Sequence, residues 1–377
     1  MNCLKTFLTL VSATLLMTTP LYAEPSEAIS EAETAEASET AEGFNAAEFL
    51  FGHVGDAYEY HITEINGKPI AVPLLVIVRS AERGWFAFSS AKLEHGHEYK
   101  GFFIPTSGDY KGKVVELNAA GQRVRPFDMS ITKNVFGLLL SCAILLTIFL
   151  LMARAYKKNP LGVPNKGQSM MEAVIIYLQD DIIRPALGDK SAKFSPYLLT
   201  VFFFILLNNL MGLVPIFPFG ANLTGNLAVT MVLALFTYFI TNIFGTKTYW
   251  KDIFWPDVPV FLKTPVLPLM QIIEFISTLT KPIALMIRLF ANIFAGHIII
   301  MVLISLIFIF SAAFPAVSTQ VGSGTAVLSV AFSVFMYCLE FLVAFIQAYV
   351  FTILSAIFIG LAQHEEHEHE EVPVKTE

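Results

Sequence analysis

One stretch limits what this chain can fold into more than any other. The apolar run from Pro268 to about Phe314 carries Glu274, Lys281, Arg288, Asn292 and His297. As a helix rising 1.5 Å per residue it is about 70 Å long, against ~30 Å of hydrocarbon in a bilayer, so it must tilt strongly, bend or break. Glu274, Lys281 and Arg288 are spaced seven apart. At 100° per residue each falls about 20° from the last, which makes one polar stripe. Asn292 lies about 40° from Arg288, whereas His297 points to roughly the opposite side. An arginine near the bilayer centre costs at least ~2.5 kcal/mol, so an intramembrane Arg288 marks a functional site by default, with a structural ion pair as the other reading. Snorkelling fails on distance, because Arg288 sits about 30 Å of helix inside Pro268.

Composition agrees with several such runs. The 377 residues are 55% hydrophobic with a mean hydropathy of +0.63, a profile that excludes an ordinary soluble enzyme and indicates a polytopic membrane protein. The formal charge of −7 has one source: eight Glu and no basic residue lie between Glu24 and Glu48. Cys3 lies in the leader and Cys142 and Cys338 in separate apolar runs, so no disulfide framework is implied.

The front of the chain reads as three pieces. Residues 1–23 have the form of a secretory signal, with Lys5 before the apolar Phe7 to Met17 and a cleavage site at Leu21-Tyr22-Ala23; an uncleaved anchor is the alternative. Residues 24–43, all but lacking apolar residues large enough to bury, are expected to be an acidic disordered linker. From residue 44 to 127 the pattern is that of a small β-rich extracytoplasmic domain. Tyr58 to Thr63 and Ile70 to Val78 flank an Asn66-Gly67 turn, and Trp85 to Phe88 and Val114 to Leu117 also read as strands. His53, His61, His95 and His97 repeat no ligand spacing and read as surface residues, with no metal site.

Behind it lies an all-α membrane domain, residues 128–362, with about five spans near 134–153, 196–214, 226–245, 268–314 and 324–362. Arg154, Lys157, Lys158 and Lys166 follow the first span and place that end in the cytoplasm. Met171, Val174, Ile175, Leu178 and Ile182 recur at helical spacing among acidic residues, as in an amphipathic helix on the cytoplasmic surface. Pro215, Pro218, Gly220 and Gly225 divide the second and third spans, and Lys247, Lys251 and Lys263 with two tryptophans mark an interfacial loop. Asn208 and Asn209 either hydrogen-bond between helices or line water. The tail, residues 363–377, is a solvated His/Glu run.

The last two spans, folded as a long tilted antiparallel hairpin, bring their polar residues into register. Arg288 faces the level of Gln347 and His297 that of Glu340, both pairs centred near residue 318 in the connecting loop. Glu340 and His297 then lie roughly 13 Å to one side of the Arg288 level and Glu274 roughly 20 Å to the other. His and Glu change protonation when burial and pairing shift them, whereas Arg in practice does not. The layout is a proton path conductive on both sides of a fixed charge; a purely structural His297/Glu340 pair is the other reading.

These residues resemble subunit a of the F-type ATP synthase. The resemblance rests on Leu289-Phe290-Ala291-Asn292 after Arg288, on Ala295-Gly296-His297, on Leu206 to Pro215, on Thr224-Gly225-Asn226-Leu227 and on Ile346 to Phe351, and it runs from about Asp128 to Ala362. It implies a proton-channel stator with two aqueous half-channels offered to a rotating c-ring. Arg288 would face the rotor carboxylate beside Asn292 and Gln347, His297 and Glu340 would serve the outside half-channel, and Glu274 with Ser277 the cytoplasmic one. Asn208, Asn209 and Asn226 are possible lining residues. Implied partners are the c-ring, subunit b of the peripheral stalk, the rest of the complex and lipid, in a bacterial inner membrane, with no cofactor and no nucleic acid. The chain would not be catalytic alone, and it carries no phosphate-cradling Gly loop with Lys and Ser/Thr. The front domain falls outside the resemblance. A secondary transporter and a sensor remain as other classes, the first lacking a second half that repeats the Arg288 pattern and the second having no need of the hairpin register.

Overall fold

The computed structural model describes residues 55–65, 68–93, 97–105, 110–118, 121–160, 162–214, 217–254, 269–313 and 318–363. The expected signal, the linker, the Asn66-Gly67 turn, His53, His95 and the tail beyond Gln363 lie outside the described residues, as does the side chain of His61.

The N-terminal module holds short strands: β1 (Glu59–Ile65), β2 (Lys68–Pro73), β3 (Leu75–Ser80), β4 (Gly84–Ser89), β5 (Phe102–Phe103), β6 (Val115–Leu117), β7 (Arg123–Val124) and β8 (Phe127–Asp128). β1 and β2 form an antiparallel hairpin, β3 runs between β4 and β8, and β6 runs between β5 and β7. The single strand expected over Ile70 to Val78 is divided at Leu74, and its halves pair with different partners. Pro73 supplies the reason, since it has no N–H to continue a ladder. Period-two alternation puts Val76 and Val78 fully inside. They pack with Tyr58, Phe88, Leu93, Phe102 and Val114 in a small core of the module's own.

The membrane part consists of α1 (Lys133–Lys158), α2 (Lys166–Leu178), the short α3 (Arg184–Leu187), α4 (Ser191–Leu213), α5 (Leu227–Ile243), α6 (Lys247–Phe254), α7 (Leu269–Ala313) and α8 (Ser318–Ala362). Among the described residues, four stretches are long and apolar enough to cross a membrane, counting α2 to α4 as one, and a fifth is present if α5 and α6 form one span bent by 102°. The fold is therefore mostly helical behind a small stranded region, the class indicated by sequence. α4 lies at the centre of the bundle. Its Leu198, Val201, Phe204 and Ile205 are buried in a cluster with Leu138 of α1, Leu233 of α5, Leu289 of α7 and Ile359 of α8.

Details differ from the pattern reading where backbone chemistry decides. α4 starts at Ser191, so Pro196 sits in its second turn rather than at its start. The segment after α5, read as loop, opens with α6, whose Thr246 hydroxyl accepts from Tyr249 N at 3.3 Å. α8 begins at Ser318, six residues before the expected start at Gly324, and so includes Gly322 and Ser323, assigned by sequence to the loop. The apolar stripe of α2 is turned onto the bundle: Met171, Val174 and Ile175 pack against the core, while Glu172 accepts from Tyr156 Oη at 2.9 Å. The last carbonyls of α8 are capped by Thr246 N, which donates to Ala362 O at 2.9 Å, and by the Lys190 ammonium, 3.2 Å from Gln363 O, a cation where the helix dipole favours one.

The module is fastened to the end of the bundle where α1 and α5 begin. Asp56 accepts from Asn134 N at 3.1 Å, Lys133 N donates to Ala57 O at 2.9 Å, and the Tyr60 hydroxyl donates to Phe219 O. The Tyr60 ring meets Phe217 edge-on at 5.3 Å.

Candidate functional site: a polar seam in the long hairpin

α7 and α8 pack against each other, and the polar residues of α7 fall on two sides. Leu285, Leu289, Ile293 and Ile300 form its buried edge. Arg288 and Asn292 point away from that edge and are exposed, together with Ala284, Ala291 and Ala295. Among the described residues Arg288 has no hydrogen bond and no ion pair. Gln347, level with it on α8, is 5% exposed and turned inward; no hydrogen bond joins the two. The hairpin register thus does not make them hydrogen-bond partners.

Closer to the module the register does produce a contact. His297 Nδ1 stands 2.5 Å from Glu340 Oε1. The imidazole's other nitrogen is 3.3 Å from Gly212 O at the end of α4, so three helices hold the ring. Gly296 makes the approach possible, because a β-carbon there would stand 3.0 Å from Glu340 Cδ and Oε1. Glu340 is 4% exposed, and its Oε2 has no hydrogen-bonding partner among the described residues. One carboxylate oxygen is fixed and the other is open to a further donor.

The asparagines differ from one another. Asn208 and Asn209 are both 2% exposed. Asn208 donates to Phe204 O of its own helix at 2.7 Å, whereas Asn209 donates across to Ala344 O of α8 at 3.3 Å and leaves Oδ1 without a partner among the described residues. Asn226 caps α5, accepting from Ala228 N at 2.9 Å.

Toward the other end of α7, Glu274 and Ser277 are half-buried, and they are not joined to the His297–Glu340 pair. Near them a cavity of about 10 Å³ is lined by Thr237, Thr241, Tyr249, Thr278 and Lys281, room for about one water. Thr237 is linked to Tyr197 Oη at 2.8 Å and to Ser355 Oγ at 3.2 Å. These hydroxyls and the loop residue Asn222 escaped sequence reasoning, and Gly212 and Thr224 entered it only within the motifs that carry the resemblance. Neutral hydroxyls and backbone carbonyls carry no signal in an apolar run until packing brings them together.

Comparison with known proteins bears on this geometry. A family model described as ATP synthase A chain matches residues 135–360. ATP synthase subunit a of Chlorobium phaeobacteroides is 44% identical over 247 residues, covering 65% of this chain and 69% of that protein. The chain belongs to the ATP synthase A chain family. ATP synthase subunit a 2 of Prosthecochloris aestuarii is 43% identical over 292 residues, 75% of this chain and 86% of that one. ATP synthase subunit a of Anaeromyxobacter is 37% identical over 268 residues, 70% of this chain and 62% of that protein. Within this member of the ATP synthase A chain family, Arg288, Asn292, His297, Glu340, Gln347, Glu274 and Ser277 all lie inside the matched region. The stranded module coincides with a second family model, a domain of unknown function (DUF8433), over residues 49–133.

Proposed function

We propose that this chain is the proton-conducting stator subunit of a rotary ATP synthase, with two half-channels that meet a ring of rotor subunits at Arg288. The observation that carries this reading is an exposed arginine, without an ion pair among the described residues, in the middle of an apolar helix and flanked by the small residues Ala284, Ala291 and Ala295. A charge in that position is costly in lipid and needs a partner of opposite charge. Small neighbours let another helix approach closely. A rotor helix with a carboxylate near mid-membrane satisfies both demands.

On this reading a proton arriving from the module side moves through the His297–Glu340 pair to the rotor carboxylate. The neutralised carboxyl group then turns through lipid and releases its proton on the other side, past Glu274 and Ser277. Asn292 and Gln347 hold the polar lining on either side of Arg288. Arg288 favours the ionised carboxylate, which makes each arriving rotor group discharge. It cannot pass the proton on, because its guanidinium stays protonated. Each charge crossing the membrane supplies about 2.3 kcal/mol per 100 mV.

We further propose that residues 1–23 are a cleaved signal, that the module lies outside the cytoplasm, and that the C-terminus lies inside. The basic cluster Arg154, Lys157, Lys158 and Lys166 after the first span supports this orientation. The membrane is taken to be a bacterial inner membrane, and a peripheral-stalk subunit b to be a further partner. Mild-detergent purification of a C-terminally tagged chain tests the assignment. Recovery of a small two-helix rotor protein together with soluble ATPase subunits is expected. Recovery of the chain alone, where a reference ATP synthase stays intact, would overturn it.

A further inference from the structure

The module does more than stand on the helices. Asp56, Lys113, Arg125 and Asp128 face Asn134 of α1 and Asn226, the cap of α5, across a cavity of about 40 Å³, enough for a few waters. Burial lowers the pKa of Lys113, and burial together with Asp128 raises that of Tyr58. The cavity is polar on both its module side and its helix side.

Its floor is the loop between α4 and α5, through Leu223 and Asn226. In the same loop Asn222 Nδ2 and Thr224 Oγ1 have no hydrogen-bonding partner among the described residues, although Asn222 is 8% and Thr224 1% exposed. Buried polar atoms are nearly always satisfied, and water is the partner of the right size where protein supplies none. The far side of the loop meets the proton-transfer pair. A β-carbon at Gly212 would lie 3.5 Å from Ala221 O and 3.8 Å from His297 Nε2. From there Gly212 O, His297, Glu340 Oε1 and the unpartnered Oε2 follow in order.

We propose that the N-terminal module forms the hydrated mouth of the outer proton path, which runs from the charged cavity under the module, across the Asn222–Asn226 loop, to His297 and Glu340. This rests on the stator reading above. The module also holds the loop in place, because Tyr60 grips Phe217 and Phe219. Its mixed charges keep the cavity wet, and its two aspartates supply acceptors for protons at the membrane surface. A module that served only as a cover would need neither the charges nor the unpartnered loop atoms.

The test uses vesicles carrying the whole complex, with Cys3, Cys142 and Cys338 replaced by serine. Asn134→Cys and Arg125→Cys, made separately, place a thiol in the cavity; Leu117→Cys places one on the exposed module surface, outside it. Ag⁺ added on the module side is expected to abolish ATP-driven proton pumping in either cavity variant and to leave Leu117→Cys unaffected; one assembling cavity variant is sufficient. Unchanged pumping after the cavity thiol has been titrated, or a cavity thiol that Ag⁺ never reaches, would overturn the proposal. Arg288→Ala in the same vesicles separates the two levels. Pumping that survives it sinks the stator reading itself, whereas pumping that depends on Arg288 but ignores Ag⁺ sinks only the mouth.

Discussion

At the scale of residues, the seam is governed by which polar atoms have partners. His297 is held from two sides, by Glu340 Oε1 at 2.5 Å and Gly212 O at 3.3 Å, so its ring has little freedom to turn. Removing either member of a proton-relay pair costs about tenfold or more in rate, and His297→Ala or Glu340→Gln should lower ATP-driven pumping by at least that much. Exchanging the two, His297→Glu with Glu340→His, keeps an acid and a base in contact and should recover part of the loss, as fluorescence quenching in vesicles can measure. Gly296 is the other constraint. Gly296→Ala puts a methyl group 3.0 Å from the Glu340 carboxyl, and relieving such overpacking costs about 1–3 kcal/mol. The expected result is assembled complex with weakened pumping, partly restored by the shorter Glu340→Asp.

At the scale of elements, α8 closes the bundle through a contact made by backbone. A β-carbon at Gly360 would stand 2.1 Å from Ala186 O, a clash that no rotamer change relieves. Gly360→Ala should therefore lower the thermal stability of the purified chain by about 1–3 kcal/mol, read as an earlier unfolding transition. Much of this level was legible in the sequence. Long apolar runs marked the long helices, and polar pairs centred near residue 318 gave the register that brings His297 to Glu340. What escaped was set by backbone energetics. Gly322 looks like a loop residue, but an unsatisfied backbone group in apolar surroundings costs several kcal/mol against about 1 kcal/mol for a helical glycine, so α8 runs through it. α6 was hidden by its charges, although Thr246 offered a cap. Pairing says nothing about which way a side chain points, and for this reason Arg288 is exposed and Gln347 buried, with no hydrogen bond between them.

At the scale of the whole molecule, two bodies with separate cores meet across the Tyr60 contacts and the charged cavity. The Tyr60 hydroxyl, its pKa pushed up to about 12 by burial, donates to Phe219 O. Tyr60→Phe removes that single bond, worth about 1 kcal/mol, and should leave each body folded while increasing hydrogen exchange in the 217–226 loop. The module was recognisable in the sequence as strands, but its seat on the helices was not, since neither its aromatic anchors nor the loop they grip carries a local signal. The outward-facing Arg288 stands between two polar segments of the seam. The most direct test is the Arg288→Lys complex in vesicles, with ATP synthesis and ATP-driven proton pumping measured side by side. A lysine there can lose its proton where arginine cannot, so coupled synthesis and pumping are both predicted to be lost with assembly intact. Normal ATP-driven pumping in that variant would contradict the central role given to Arg288.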